Sequence, residues 1–152
     1  MNTITCKRIL CPVDFSEYSD YAMRYAAFLA NKFGAKLTLL HVLAPVMVPL
    51  PSDALLPPMR QIDLADIADA CKERLIKATG HFSSAGLDVD YQVTNGIPFM
   101  EILRVASELS VDMIIMGTHG RSGLAHIMIG SVAERVVRKA PCPVLTVKRN
   151  DA

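Results

Sequence analysis

Apolar and polar positions follow two periods along this chain. Short apolar runs bounded by turn residues recur at 7–13, 36–43, 88–94, 111–116 and 144–148, and each reads as a strand. Between them, apolar residues return every third or fourth position, as in helices with one buried stripe. The run Ile9-Leu10-Cys11 does not alternate, which suits a strand covered on both faces, and Pro12 should end its pairing. Asp14-Phe15-Ser16 turns the chain, with Ser16 as the expected N-cap and Glu17 in the first turn. The helix that follows places Tyr18, Tyr21, Ala22, Tyr25, Ala26 and Leu29 on one face, so the tyrosines are expected in the core. Gly34 stops that helix.

After the second strand, Ala44 to Arg60 carries prolines at 45, 49, 51, 57 and 58, which no helix can accommodate. Its apolar content argues against a solvated linker. It reads equally as a loop packed over the domain edge or as a lid or partner surface. Leu64, Ile67, Ala68, Cys71, Leu75, Ala78 and Phe82 then predict a second helix running to Gly86. Residues 88–94 alternate cleanly, with two aspartates on the polar side, and suit an edge strand. Pro98 opens a third helix through Phe99, Ile102, Leu103, Ala106 and Leu109. A fourth helix starts at Ser131 and ends near Lys139. Pro143 restricts the last strand to an edge position.

Strand and helix alternate throughout, which predicts one α/β domain over 1–152. Its expected core is a doubly wound five-stranded parallel sheet with helices on both faces. The first and fourth strands have the most continuous apolar runs and should be central, giving the order 3-2-1-4-5. Ligands bind such sheets where the strand order reverses, here at Val13-Asp14 and Met116-Gly117.

The stretch after the fourth strand supports that position. Met116-Gly117-Thr118-His119-Gly120-Arg121-Ser122-Gly123 leads on to Gly130-Ser131-Val132 at the start of a helix. Glycines let backbone N–H groups approach an anion, and a helix start leaves such donors open. Ser131 and Glu134 have capping-box spacing, which places the helix start at Ser131. Arg121 adds a planar cation suited to phosphate. No Gly-Lys-Ser/Thr and no G-x-G-x-x-G is present.

The spacing G-x2-G-x9-G-S resembles that of the ATP-binding universal stress proteins, and the resemblance runs from Lys7 to Lys148. It implies an adenine nucleotide, ATP, with these contacts: Pro12, Val13, Asp14, Val42, Met116, Gly117, His119, Gly120, Arg121, Gly123, Gly130, Ser131 and Val132. Within that set, the Val13 carbonyl and amide and Val42 would frame the adenine, and Asp14 would take the ribose or base. Gly117 falls on the ribose–phosphate side and the later residues at the phosphates. A divalent cation, Mg2+ or Mn2+, could bridge the phosphates, although no carboxylate cluster marks a dedicated metal site. The family also implies a homodimer paired through 144–148, which would cover an otherwise bare apolar edge.

Composition narrows the classes further. A net charge of +1 with scattered charges gives no basic stripe, so neither nucleic acid nor an anionic membrane surface is an expected partner. No secretion signal and no apolar stretch of membrane-spanning length is visible, which predicts a cytoplasmic protein. Cys6, Cys11, Cys71 and Cys142 form no C-x-x-C pair and read as reduced thiols, with Cys11 and Cys71 in the core. His41 and His126 are expected to be structural. Asp14 belongs at the nucleoside end and cannot serve a terminal phosphate, and nothing in the sequence orients His119. No catalytic residue is therefore assigned, and the expected function is nucleotide-dependent regulation with slow or no hydrolysis. The alternative is a slow ATPase or a nucleotidyl-transferring enzyme of a related fold. Such enzymes carry a Ser-Gly-Gly or His-x-Gly-His element, absent here.

Overall fold

A computed structural model describes residues 3–45, 63–83, 86–119 and 129–149. Among these, five strands form one parallel sheet. They are β1 (Arg8–Pro12), β2 (Lys36–Leu43), β3 (Val89–Asn95), β4 (Met113–Gly117) and β5 (Val144–Val147), in the order β3-β2-β1-β4-β5. This is the order expected from the apolar runs. The helices are α1 (Glu17–Phe33), α2 (Leu64–Ala78), α3 (Gly80–Ser83), α4 (Pro98–Glu108) and α5 (Ser131–Lys139). Most of the proline-rich stretch 44–60 lies outside the described residues, as does His126.

β1 explains its own composition. Ile9 and Cys11 sit in a core layer shared with α1 and Leu75 of α2, while Leu10 faces a second layer with α4 and α5. All three are fully buried, so neither face tolerates a polar residue. Burial also pushes the Cys11 thiol up to about 12, which keeps it protonated and inert. Cys71, expected in the core, is only half-buried, because α2 packs through Leu75 over the half-covered edge strand β3.

α1 is capped as expected. The Ser19 N–H donates to Ser16 Oγ at 3.2 Å, and Gly34 ends the helix in the left-handed region, φ 62°. Its packed face differs from the expectation. Ser19, Ala22, Met23, Ala26, Ala27 and Ala30 are buried, whereas Tyr25 is 43% and Phe28 56% exposed. Small residues let the helix axis approach the sheet, which displaces the tyrosines to the flank. Of these, Tyr21 still packs against the core margin.

The predicted second helix is broken at Thr79. That residue is fully buried, with Oγ1 3.0 Å from the Leu75 carbonyl and 2.6 Å from the Tyr91 hydroxyl. Ending α2 there turns the chain into α3.

Asp112 ties the amino ends of β1 and β4 together. Its Oδ2 accepts the N–H groups of Lys7 and Arg8 at 2.7 and 2.9 Å, and its own N–H donates to the Arg8 carbonyl. These backbone donors hold its carboxyl below the usual carboxylate range. A depressed folded-state value stabilises the fold above the ordinary carboxylate pKa, and that contribution is lost as pH falls through the folded-state value. Asp112→Ala is therefore expected to cost about 1 kcal/mol at pH 7, and the gap to the native chain should close below about pH 4. Urea unfolding at both pH values checks this, and an equal gap at pH 7 and pH 3 would count against it.

Candidate functional site

The polarity of β2 creates an opening beside β1. Lys36 N–H donates to the Lys7 carbonyl and Leu37 N–H to that of Asp88, so even-numbered residues of β2 point their backbone groups at β1 and odd ones at β3. Leu40 pairs with Pro12, and its carbonyl takes the Val13 N–H at 2.8 Å. β1 then leaves the sheet. Val42 N–H and C=O consequently face a slot that no strand among the described residues fills.

That slot belongs to a cavity of about 510 Å3. Pro12, Val13 and Asp14 line it from β1, with Leu40, His41 and Val42 from β2 and Met116, Gly117, Thr118 and His119 from β4. Gly130, Ser131, Val132 and Ala133 line it from α5, and Pro98 and Ile102 of α4 complete the wall. Ten of the thirteen sequence-predicted contacts therefore meet at one place. Gly120, Arg121 and Gly123 lie outside the described residues.

The turn after β1 is tightly specified. Asp14 Oδ1 accepts the Ser16 N–H at 2.9 Å, and Ser19 Oγ accepts the Asp14 N–H at 3.3 Å while donating to the Ser16 carbonyl. Phe15 between them adopts φ 62°, uncommon for a bulky residue. Its ring lies 4.6 Å from that of His41, and the Arg74 guanidinium stacks 4.1 Å over it. These contacts fix the Asp14 carboxylate at the cavity wall.

Val13 departs from its expected role. Its N–H is taken by Leu40 and its carbonyl accepts His41 Nδ1–H at 2.7 Å. Its amide is thus unavailable to a base, and the carbonyl retains one lone pair. His41 is structural, as expected, but what it holds is the cavity wall itself. No local signal could have shown this, because the bond joins residues on neighbouring strands.

α5 starts at Ser131 and ends at Lys139, as expected, but without the expected capping box. Gly130, not Ser131, is the N-cap, with φ −62° and ψ 155°, and no side chain caps the helix. Gly130 N–H donates to the Thr118 carbonyl at 2.6 Å, which seats Gly130 as the N-cap. Ser131 is already helical, so its hydroxyl cannot reach the third N–H as a cap would. Glu134 instead pairs with Arg138. The first-turn N–H groups of Ser131, Val132 and Ala133 thus open on the cavity without an intrahelical acceptor.

At the end of β4, His119 packs against Tyr18, ring centroids 5.3 Å apart, and its Nδ1 lies 2.9 Å from Thr118 Oγ1. Its Nε2 is buried and has no hydrogen-bond partner among the described residues. Thr118 N–H and Gly130 N–H anchor the two ends of the loop, to the Val147 and Thr118 carbonyls.

A cavity at the strand-order reversal, walled by the end of β4 and an open helix start, has counterparts among known proteins. The model of the universal stress protein family matches residues 5–148. The chain belongs to the universal stress protein family. Universal stress protein MJ0531 of Methanocaldococcus jannaschii is 33% identical over 144 residues, covering 94% of this chain and 82% of its own. Among solved structures, that of protein MJ0577 from the same organism superposes with a TM-score of 0.77 at 29% identity, over 98% of this chain and all of its own. A universal stress protein from Archaeoglobus fulgidus in complex with dAMP superposes with a TM-score of 0.64 at 25% identity, over 96% of this chain and 100% of its own.

The universal stress fold supplies the scaffold here. Among the described residues, no three His, Cys, Asp or Glu side chains are grouped to hold a metal ion, and no helix is long and apolar enough to cross a membrane.

Proposed function

We propose that this cavity binds an adenine nucleotide, with ATP as the ligand, and that the protein is a nucleotide-dependent regulatory module. The observation that carries the reading is the uncapped start of α5, whose N–H donors face the same cavity as Asp14. One end of the cavity suits phosphate and the other suits a nucleoside. The Archaeoglobus fulgidus relative, in complex with dAMP, supports the choice of an adenine nucleotide.

In this reading, Val42 N–H and C=O offer the adenine edge a donor and an acceptor. Asp14 accepts from ribose hydroxyls, and Ser131, Val132 and Ala133 donate to phosphate oxygens. Gly120, Arg121 and Gly123 fall in the same phosphate role by their place in the motif. Mg2+ or Mn2+ would ride on the phosphates and water, which is common for magnesium. Asp14, His41 and His119 are the acids and imidazoles among the described wall residues. Two of these are committed to holding the wall, so hydrolysis is expected to be slow. The experiment is calorimetric titration of the native chain with ATP and Mg2+, with orthophosphate as a control. Saturable binding of one nucleotide per chain, far tighter than orthophosphate, is expected. Absence of binding at millimolar ATP would sink the reading.

The remaining finer readings belong to the same proposal: one domain over 1–152, a cytoplasmic location, and a homodimer joined through 144–148. β5 is an edge strand, and Leu145 is 38% exposed on it. A dimer is expected at micromolar concentration by sedimentation, and Val144→Lys should shift it to monomer. A native monomer unchanged by that substitution would remove the dimer proposal.

A further inference from the structure

α1 reverses the sidedness of an ordinary surface helix. Its buried face is small, with Ser19, Ala22, Ala26, Ala27 and Ala30 around Met23. Its aromatic residues lie outside: Tyr25 and Phe28 are exposed, and Tyr21 is half-buried. With Glu17, Arg24 and Lys32 they form one stripe, because residues three and four apart share a helix face. A helix that faces only water keeps that side polar.

The stripe is also ordered. The Tyr21 and Tyr25 rings meet edge to face at 5.3 Å, and the Lys32 ammonium lies 5.7 Å from the centre of the Phe28 ring. Rings already fixed in position lose little freedom when a partner covers them. Aromatic residues beside an arginine are the usual anchors of association surfaces.

The order of charges along the stripe identifies that partner. Glu17 opens it and Lys32 closes it, with the aromatic residues and Arg24 between. Turned end for end about a point between Arg24 and Tyr25, the stripe matches itself. Glu17 then meets Lys32, Tyr21 meets Phe28, and Arg24 meets Tyr25 as a cation over a ring. A surface complementary to its own reverse is what a two-fold contact between identical chains requires. Antiparallel helices also bring each N-terminus beside the other's C-terminus, which suits their dipoles.

We propose that the outer face of α1 docks antiparallel on the same face of a second copy of this chain, through Tyr21, Tyr25 and Phe28, with Glu17 and Lys32 paired at each end. This contact is separate from the one proposed for β5 and needs no nucleotide. Glu17 already engages Arg149 within the chain, but its side chain is 78% exposed, so its carboxylate accepts a second cation. One helix face per copy falls below the ~1,200 Å2 of total buried area in standard interfaces, so the contact alone associates at about 100 μM. In chains also paired through β5 it joins dimers into larger assemblies.

The test is sedimentation equilibrium of the full chain carrying Val144→Lys, which disables pairing through β5, from about 10 to about 500 μM. This chain is expected to be monomeric at the lowest concentrations and dimeric at the highest. Adding Phe28→Glu sets a carboxylate against the opposing Tyr21 and should weaken the dimer by about tenfold or more. Lys32→Glu places like charges together at both ends and should weaken it about fivefold, as should Glu17→Lys. An equimolar mixture of the Lys32→Glu and Glu17→Lys chains should recover affinity to within about threefold, since each supplies the charge that the other lacks. These three positions are exposed, so the fold is expected to tolerate the changes, and circular dichroism checks it. A monomer at every concentration would overturn the proposal and leave the stripe to a different protein. So would a dimer that Phe28→Glu does not weaken. Mixing without recovery would overturn the antiparallel pairing. Should Phe28→Glu fail to fold, the two charge variants and their mixture decide alone.

Discussion

Gly117→Val should cost about 3 kcal/mol of folding stability or more, and Gly117→Ala about 1–3 kcal/mol. The reason is the first turn of α1. A Cβ on Gly117 would stand 3.0 Å from both the carbonyl carbon and oxygen of Tyr18, and 3.2 Å from its Cβ. Two of those three atoms are backbone, so no rotamer change relieves the contact. Nor can the turn yield cheaply, because Ser16, Ser19 and Asp14 bond it to itself. Displacing it would move Asp14 away from the cavity. Gly80→Ala is the control, since a Cβ there meets nothing within 4 Å. Urea unfolding of the three chains measures the effect. Equal stability of Gly117→Ala and Gly80→Ala would show that the approach of α1 to β4 is not a real constraint.

This places the first motif glycine in two roles. By its spacing it belongs to a phosphate loop, and by its surroundings it is where a helix start crosses the end of a central strand. The sequence could show the first role and not the second, because Tyr18 and Gly117 are brought together only by the packing of α1 on β4.

The same division runs through the molecule. The strand order was legible because burial on two faces leaves a direct mark on composition, as at Ile9-Leu10-Cys11, and an edge leaves alternation, as at 88–94. The location of the site followed from that order. What was not legible depends on pairs distant in sequence. The His41 bond to the Val13 carbonyl changes what Val13 can offer a base. The Gly130 N–H bond to the Thr118 carbonyl seats Gly130 as the N-cap, so the helix starts at Ser131 as expected but without the capping box that Ser131 and Glu134 have the spacing for. Thr79 ends α2 because the Tyr91 hydroxyl meets it from the edge strand. The alanine face of α1 was present in the sequence, but the larger tyrosines beside it carried more apolar weight than the geometry allows them.

Gly130→Asp is expected to raise stability while removing nucleotide binding, and the opposed signs distinguish a ligand site from a structural turn. Gly130 is the N-cap of α5 with φ −62° and ψ 155°, a conformation open to any residue. Backbone strain therefore gives no reason for glycine at this position. Capping chemistry argues for its replacement, since aspartate accepts the first-turn N–H groups and its charge opposes the helix dipole favourably. Together these are worth about 0.5–1 kcal/mol. A residue that leaves its helix uncapped forgoes that stability, which is reasonable where the same N–H groups are kept for a ligand. In the variant, the carboxylate would occupy those donors and repel the phosphates. At an effective dielectric constant of about 20, two charges 4 Å apart repel by about 4 kcal/mol, so a loss of at least about a hundredfold in ATP affinity is expected. Gly130→Ala separates the two contributions, since it adds a methyl group without an acceptor or a charge and should not stabilise. Thermal unfolding and calorimetric titration of the three chains read both quantities. If Gly130→Asp gains stability and still binds ATP as the native chain does, the start of α5 is not the phosphate site. If it loses stability, Gly130 is needed for the turn itself, and the open helix start has a structural origin instead of a functional one.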